Sequence, residues 1–274
     1  MRKTKDIILN GLVCLCALFT VSVLLVIVTF IFVKGFKLIT PTFLFTSYSP
    51  SGASGILPML ITTLYMVALS VVIATPIGVL AAVYLQEYAK QGKIVKIIRF
   101  ATESLAGIPS IVYGLFGGIF FVVVLGLNYS ILAGALTVSI IILPVLIRTT
   151  EESLKTVPLS YREASLGIGA TKFQTLYKVI IPSAIPGILS GLILSIGRVV
   201  GESAAILLTA GTVAQMPRSI FDSGRTLTVQ AYLVTKEKGS IEEAAAIGIV
   251  LIILILVLNT IAKLITKKFN KANY

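Results

Sequence analysis

The chain alternates between long apolar segments and shorter polar ones. Six of the apolar segments are long enough to cross a membrane, because about 20 helical residues span a hydrocarbon core about 30 Å thick. They cover residues 7–33, 56–85, 105–125, 130–147, 185–209 and 244–265. Only residues 126–129 separate the third segment from the fourth, which predicts an antiparallel pair. We therefore expect an all-α, polytopic membrane protein with six transmembrane helices.

The positions of Lys and Arg predict the orientation of these spans. Of the 23 cations, sixteen lie near the two termini, between the second and third spans, and between the fourth and fifth. Six lie in the remaining connections, residues 34–55 and 210–243, and Arg198 alone lies deep within a span. Because cytoplasmic loops carry the excess of cations, both termini are predicted to be cytoplasmic in a multi-pass protein of the cell membrane. The net charge of +12 then requires no nucleic acid.

The composition excludes most catalytic chemistry. The chain is 57% hydrophobic and 12% charged, whereas soluble domains are roughly 25% charged. It contains no His, which removes imidazole metal ligands and His-dependent catalysis. Cys14 and Cys16 are two positions apart, so a helix points them to different faces and they predict no metal pair. With no G-x-x-x-x-G-K-[ST] loop for nucleotide, we expect no catalytic residue, metal or cofactor in the chain itself.

A polar island at residues 160–182 lies between the fourth and fifth spans and is predicted to face the cytoplasm. Ser160 with Glu163 fits a capping box, in which each residue bonds to the backbone N–H of the other. Thr171 with Gln174 repeats the pattern. The island is therefore predicted to hold two short helices.

A glycine joins the two predicted helices. Gly169 stands where the first helix needs a left-handed residue at its end, and Pro158 and Pro182 mark the two ends of the island. A surface hairpin and a DNA-binding helix-turn-helix using Lys172 and Lys178 are alternatives. Both ends of the island lead directly into membrane spans, which argues against DNA binding.

The fifth span carries the intramembrane charges. Arg198 and Glu202 are four residues apart, hence on one helical face, and Gly197 and Gly201 form a small-xxx-small pattern beside them. Charges in mid-membrane face a partner or a cavity. One interpretation is that Arg198 and Glu202 neutralise each other. The other is an oxyanion path, in which the Arg198 fork contacts substrate and Glu202 holds it in place.

A second charged group, Arg148, Glu151 and Glu152, lies at the cytoplasmic end of the fourth span. Arg148 can pair with the carboxylate three or four positions later. The group is either an interfacial salt bridge or part of the substrate path, and Glu103 is expected to be interfacial.

The residues of the polar island resemble a known signature. Ser165 replaces the second Ala of the EAA signature of bacterial ABC-importer permeases, Glu-Ala-Ala, three residues, Gly, nine residues, Ile-x-Leu-Pro. Glu163, Ala164, Gly169 and Pro182 match the signature at the right spacing, and Val179 and Ile181 stand in for its Ile and Leu. The resemblance implies a type I ABC-importer permease fold, in which this loop is the coupling helix that docks on a separate ATP-hydrolysing subunit.

Three further strings narrow the resemblance. Three segments look like the corresponding segments of the PstA-type permease of the bacterial phosphate importer; they are AGIPSIVYGLFG, LPVLIRTTEESLKTVP and GRVVGES. Where that family often has Thr-Ala-Pro after the Gly-Glu pair, this chain has Ser203, Ala204 and Ala205, which leaves open whether the helix breaks here. The resemblance implicates Arg148, Glu151 and Arg198 in phosphate passage. It also implies a PstC-type partner permease, a dimer of ATP-binding subunits and an extracytoplasmic phosphate-binding protein.

These observations divide the chain into three regions. Residues 1–54 are predicted to form an N-terminal anchor helix and an outer loop, 55–266 the permease core with the coupling loop at 158–182, and 267–274 a basic cytoplasmic tail. Residues 7–33 are too long for a signal peptide and are expected to be retained. The predicted function is an ATP-driven phosphate importer subunit. A permease for sulfate or molybdate and an ion-coupled secondary transporter are the alternatives.

Overall fold

The computed structural model describes residues 2–49, 55–90 and 92–271, and these form helices joined by short loops. The helices are α1 Arg2–Gly35, α2 Pro41–Phe45, α3 Leu57–Val83, α4 Lys93–Ala106, α5 Ser110–Gly117, α6 Ile131–Lys155, α7 Leu159–Gly167, α8 Lys172–Thr175, α9 Ile181–Gly201, α10 Ala204–Thr209, α11 Leu227–Leu233 and α12 Ile241–Lys271. Wider π-helical turns extend α3 as Tyr84–Tyr88, α5 as Gly118–Val124 and α11 as Val234–Lys238, and the turn Leu176–Ile180 joins α8 to α9.

Among the described residues, five helices are long and apolar enough to cross a membrane. They are Leu9–Leu38, Leu57–Tyr88, Ile131–Lys155, Lys172–Gly201 and Ile241–Lys267. A sixth span is obtained when the two helices Lys93–Ala106 and Ser110–Val124, which meet at a bend of 99°, are counted as one broken span. The prediction of an all-α protein with six spans is confirmed on this count. The predicted tail is helical as far as Lys271, while residues 1, 50–54 and 272–274 of the predicted terminal regions lie outside the described part of the chain.

The predicted start of the third span, residue 105, is wrong. Leu105 belongs to α4, and the chain bends at Gly107 and Pro109 before α5 begins. Proline disfavours helical backbone in the residue before it, which ends α4 here. The Tyr113 hydroxyl donates a 2.7 Å hydrogen bond to the Leu105 carbonyl across the bend. The α4 helix therefore lies nearly perpendicular to the helix Ser110–Val124.

The core of the bundle is formed by α3, α6 and α9. The Ser139 hydroxyl donates to the backbone carbonyl of Ser70, 3.2 Å away, so α3 and α6 approach closely. The buried apolar side chains Met66, Ile142 and Val199 belong to one cluster that joins the three helices. Close helix approach through small residues is typical of membrane bundles.

The α1 helix lies largely outside this core. None of its most apolar 18-residue window is buried. The last residue of α1, Gly35, packs closely on α12. A Cβ atom added to Gly35 would lie 2.5 Å from the Ala245 backbone and overlap it. The long apolar surface of α1 is therefore left to lipid or to another chain.

Candidate functional site

The polar island folds as two short helices, α7 and α8, joined at Gly169. Gly169 has a φ of +89°, and its N–H donates to the Leu166 carbonyl at 3.0 Å. The next N–H, of Ala170, donates to the Ser165 carbonyl at 3.2 Å. These two bonds form a Schellman motif, which satisfies the last carbonyls of α7. The predicted left-handed glycine is confirmed.

One of the two predicted capping boxes is confirmed. The Thr171 hydroxyl accepts from the Gln174 N–H at 3.2 Å, and the Gln174 side chain accepts from the Thr171 N–H at 2.9 Å. The box at Ser160 and Glu163 is wrong. Pro158 occupies the N-cap position and α7 begins at Leu159, so Ser160 already lies within the first helical turn.

Pro182, predicted to mark one end of the island, does not interrupt the helix. The helix runs without a break from Lys172 to Gly201. Proline lacks an N–H and its ring clashes with the carbonyl four residues earlier. The π-helical turn Leu176–Ile180, which directly precedes Ile181 and Pro182, widens the helix where those constraints act. The coupling loop is therefore continuous with the fifth span.

The loop presents large apolar side chains on its outside. Ile168 is 87% exposed, and the exposed rings of Phe173 and Tyr177 stack with centroids 6.2 Å apart. Glu163 and Ala164 are exposed on α7. Exposed apolar patches rimmed by polar residues mark interaction surfaces.

The inner side of the loop is fixed to the bundle. The hydroxyls of Ser165 and Thr175 lie 2.9 Å apart and are buried, which joins α7 to α8. Arg162 reaches Glu87 at the end of α3, with Nη1 donating to Oε2 at 2.8 Å. The loop therefore meets the span bundle through defined polar contacts.

The predicted ion pair between Arg198 and Glu202 is wrong. The α9 helix ends at Gly201, and Glu202 has an extended backbone with ψ 134°, so the helical i,i+4 geometry does not reach it. Its buried carboxylate instead accepts from the N–H groups of Ser203 and Ala205, both at 3.2 Å. The helix therefore breaks here without a proline, and Glu202 satisfies the start of α10.

The Arg198 side chain is exposed on α9. Within the described part of the chain, no hydrogen bond or ion pair holds its guanidinium, which lies in electrostatic range of the Tyr113 phenol. Side chains built at Gly197 and Gly201 would meet nothing within 4 Å. A charge with five donors thus stands on an open face of small residues.

The packing register fixes the depth of Arg198. A side chain at Gly191 would overlap the Thr149 hydroxyl, and one at Gly187 that of Ser153, so α6 and α9 run antiparallel. This register places Arg198 level with Ile142, about 16 Å from the start of α6 at 1.5 Å per residue. Arg198 therefore lies near the middle of the bundle.

The charged group of Arg148, Glu151 and Glu152 forms two separate sets of ion pairs. Arg148 pairs with Glu152, Nε to Oε1 at 3.1 Å, and both side chains are exposed, as the predicted i+4 spacing allows. Glu151 is buried and accepts from Arg99 of α4 at 3.1 Å, with Lys155 at 3.9 Å. These five residues line a cleft of about 140 Å³.

The four predicted path residues therefore do not form one site. By the same register, Arg148 lies about 9 Å along the bundle from the level of Arg198, toward the Lys155 end of α6. The Glu202 side chain binds the backbone at the start of α10, whereas no hydrogen bond or ion pair among the described residues holds the Arg198 side chain. Among the described residues, no group of three or more Cys, Asp or Glu side chains could hold a metal ion.

Sequence reasoning missed three residues of these sites. Glu87 and Arg99 are the partners of Arg162 and Glu151, 75 and 52 positions away. Thr228 donates to the Glu202 carbonyl at 2.7 Å from 26 positions away. The charge of Glu87 and Arg99 and the hydroxyl of Thr228 were the available signals, but nothing local identified the partners.

Comparison with known proteins extends this geometry. The family model described as "Binding-protein-dependent transport system inner membrane component" matches residues 74–272. The probable ABC transporter permease YqgI of Bacillus subtilis is 36% identical over 280 residues, covering 96% of this chain and 95% of that protein. YqgH of the same organism is 32% identical, covering 83% and 78%. The phosphate transport system permease PstA 1 of Mycobacterium tuberculosis (strain CDC 1551) is 35% identical, covering 78% and 71%.

Solved structures share the fold. The inward-facing MetNI methionine ABC transporter gives a TM-score of 0.65 at 20% identity, covering 78% of this chain and 95% of the matched chain. A bacterial alginate ABC transporter, in complex with an alginate-bound periplasmic protein, gives 0.62 at 15% identity, covering 78% and 79%. Both likenesses indicate the type I ABC-importer permease fold. The chain belongs to the family of binding-protein-dependent transport system inner membrane components, and it is the membrane-spanning permease subunit of an ABC importer, in which a separate subunit hydrolyses ATP.

Proposed function

We propose that this chain is a permease subunit of an ATP-driven phosphate importer in the cell membrane. The observation that carries the proposal is the Arg198 guanidinium, unpaired at mid-bundle on a glycine-lined face. A planar fork of donors suits a phosphate oxyanion. The PstA relative, which is named for phosphate transport, supports this choice of substrate.

Arg198 is the central substrate contact in this proposal. Because the Glu202 carboxylate is committed to the backbone of α10, it does not neutralise Arg198 in the empty protein. Glu202 acts by fixing the helix break beside the site. Arg148 and Glu151 belong to the cytoplasmic mouth of the path, about 9 Å and about 14 Å away along the bundle.

The open faces accommodate the partners. The exposed apolar groups around Glu163 and Ala164 form the docking surface for a dimer of ATP-binding subunits. The bare face at Gly197 and Gly201 adjoins a second permease of the PstC type. Two different permeases of one organism, YqgI and YqgH, both resemble this chain, which supports a pair of homologous permeases. An extracytoplasmic phosphate-binding protein delivers the substrate.

The proposed mechanism is alternating access with both termini in the cytoplasm. ATP binding closes the partner dimer, and the coupling loop passes this closure to the fifth span, with which it is continuous. The ATP is bound by the partner, and this chain takes no cofactor. An external energy source is required, because moving one negative charge inward against 100 mV costs about 2.3 kcal/mol.

The test is uptake of labelled phosphate at low external concentration in cells that lack their own high-affinity phosphate uptake. The cells express the full set of subunits with or without this chain, and labelled sulfate and molybdate serve as controls. Phosphate uptake that depends on this chain and on ATP supports the proposal. Uptake of sulfate or molybdate alone would contradict the substrate, and phosphate uptake abolished by collapsing ion gradients at constant ATP would favour a secondary transporter.

A further inference from the structure

The contact between Arg162 and Glu87 joins the coupling loop to the second span. Nη1 of Arg162 donates to Oε2 of Glu87 at 2.8 Å, and Nη2 lies 2.6 Å from Oε1. The Arg162 side chain is 22% exposed and the Glu87 side chain 13% exposed. Nη2 also donates to the carbonyl of Leu154 in the last turn of α6, at 3.4 Å. One side chain therefore contacts the ends of both α3 and α6.

Among the ion pairs of the described residues, this is the one that joins α7 to a span. The α8 half of the loop needs no such contact, because it continues covalently into α9. The two halves are held together by the buried Ser165 and Thr175 hydroxyls, 2.9 Å apart. A displacement of the loop is thus transmitted to α9 through the continuous backbone and to α3 through the Arg162 side chain.

The other end of α3 reaches the break beside Arg198. The Thr63 hydroxyl of α3 accepts from the Leu227 N–H at 3.0 Å, at the start of α11. The next residue of α11, Thr228, donates to the Glu202 carbonyl at 2.7 Å. The helix break at Glu202 is therefore connected to the loop by two routes, one along α9 and the other along α3 and α11.

We propose that the Arg162–Glu87 pair transmits the motion of the coupling loop to α3, so that α3 and α9 move together when the ATPase closes. This inference rests on the proposed docking of the loop on an ATPase. A paired, mostly buried contact suits the role because removing one partner leaves the charge of the other without compensation. Arg162 and Glu87 are positioning residues, since neither reaches the level of Arg198.

The experiment measures phosphate transported per ATP hydrolysed in the complete complex reconstituted in vesicles. The variants are Glu87→Gln, Arg162→Gln and the exchange Glu87→Arg with Arg162→Glu. Lys90→Gln is the matched control, because Lys90 is an exposed cation three residues beyond Glu87. Copurification of the ATPase subunit checks assembly in every variant.

We expect each single variant to lower the ratio of phosphate transported to ATP hydrolysed about tenfold with the ATPase still bound. Mutations within coupling networks change the coupling between sites by about this factor. The exchange should restore most of the ratio, and Lys90→Gln should retain it. Wild-type ratios in both single variants, loss of the ATPase subunit, or single-variant defects that the exchange does not repair would each overturn the inference. Failure of the wild-type complex to transport phosphate would instead contradict the proposed function.

Discussion

The hydroxyl of Thr228 donates a 2.7 Å hydrogen bond to the backbone carbonyl of Glu202. Because α9 ends at Gly201, this carbonyl has no partner within the helix and Thr228 of α11 satisfies it. The carboxylate of Glu202 accepts hydrogen bonds from the N–H groups of Ser203 and Ala205 at the start of α10. Three helices therefore meet at Glu202, next to the free charge of Arg198.

Substitution of Glu202 separates a capping role from a charge role. We expect Glu202→Ala to destabilise the permease by about 1 kcal/mol, up to about 2, because the N–H groups of Ser203 and Ala205 lose their acceptor. Glu202→Gln keeps an oxygen in place and should lose much less. Thermal unfolding of the purified complex and phosphate uptake measure both variants. Equal damage from Gln and Ala would show that the negative charge itself is required.

Gly169 is predicted to be the conformational constraint of the coupling loop. Gly169→Ala should cost roughly 1–2 kcal/mol, because a residue with a side chain is strained at a φ of +89°. Steric overlap plays no part, since its Cβ would meet nothing within 4 Å. Gly167→Ala is the control, as Gly167 is equally open but ends α7 in helical backbone. Comparable losses of stability and of ATPase stimulation in both variants would contradict this account.

Alanine substitutions at two glycines of α9, Gly191 and Gly197, are expected to differ in their effect on stability. Gly191→Ala should destabilise the subunit by about 1–3 kcal/mol, because its Cβ would overlap the Thr149 hydroxyl where α9 packs on α6. Gly197→Ala should leave the stability of the subunit unchanged, since its Cβ would enter open space. Thermal unfolding of the isolated subunit in detergent measures both. If Gly197→Ala also impairs uptake in the complex, that face contacts a partner or substrate; if it unfolds the isolated subunit, the open face is refuted.

Ile168 tests the proposed docking surface. Ile168→Glu should reduce copurification of the ATPase subunit at least several-fold, because a charge replaces a side chain that is 87% exposed before docking. The fold should be retained, since Ile168 packs on little else. Lys263→Glu, an exposed position on α12, is the control and should bind the ATPase normally. Normal copurification of the Ile168 variant would move the docking surface elsewhere.

Features that depend on residues close together in the sequence were predicted correctly. Contacts between residues far apart in the sequence were not. Thr171, Gln174 and Gly169 act within one turn, so their roles were readable. The absence of an Arg198–Glu202 pair could not be predicted, because α9 ends at Gly201 and the Glu202 carbonyl binds Thr228, 26 positions away. Glu87 likewise carried a visible charge, but its partner lies 75 positions along the chain. Helical periodicity places a residue on a face; tertiary packing decides what that face meets.

The role of Arg198 is tested most directly by phosphate uptake in the reconstituted complex at subsaturating phosphate. Arg198→Gln should lower uptake about 10- to 100-fold, the loss expected for charge-assisted hydrogen bonds to an oxyanion. Arg198→Lys should be intermediate, because it keeps the charge and loses the fork. Arg148→Gln should be affected less, since Arg148 is exposed and paired with Glu152. Near wild-type uptake in Arg198→Gln, with the complex intact, would contradict the central claim.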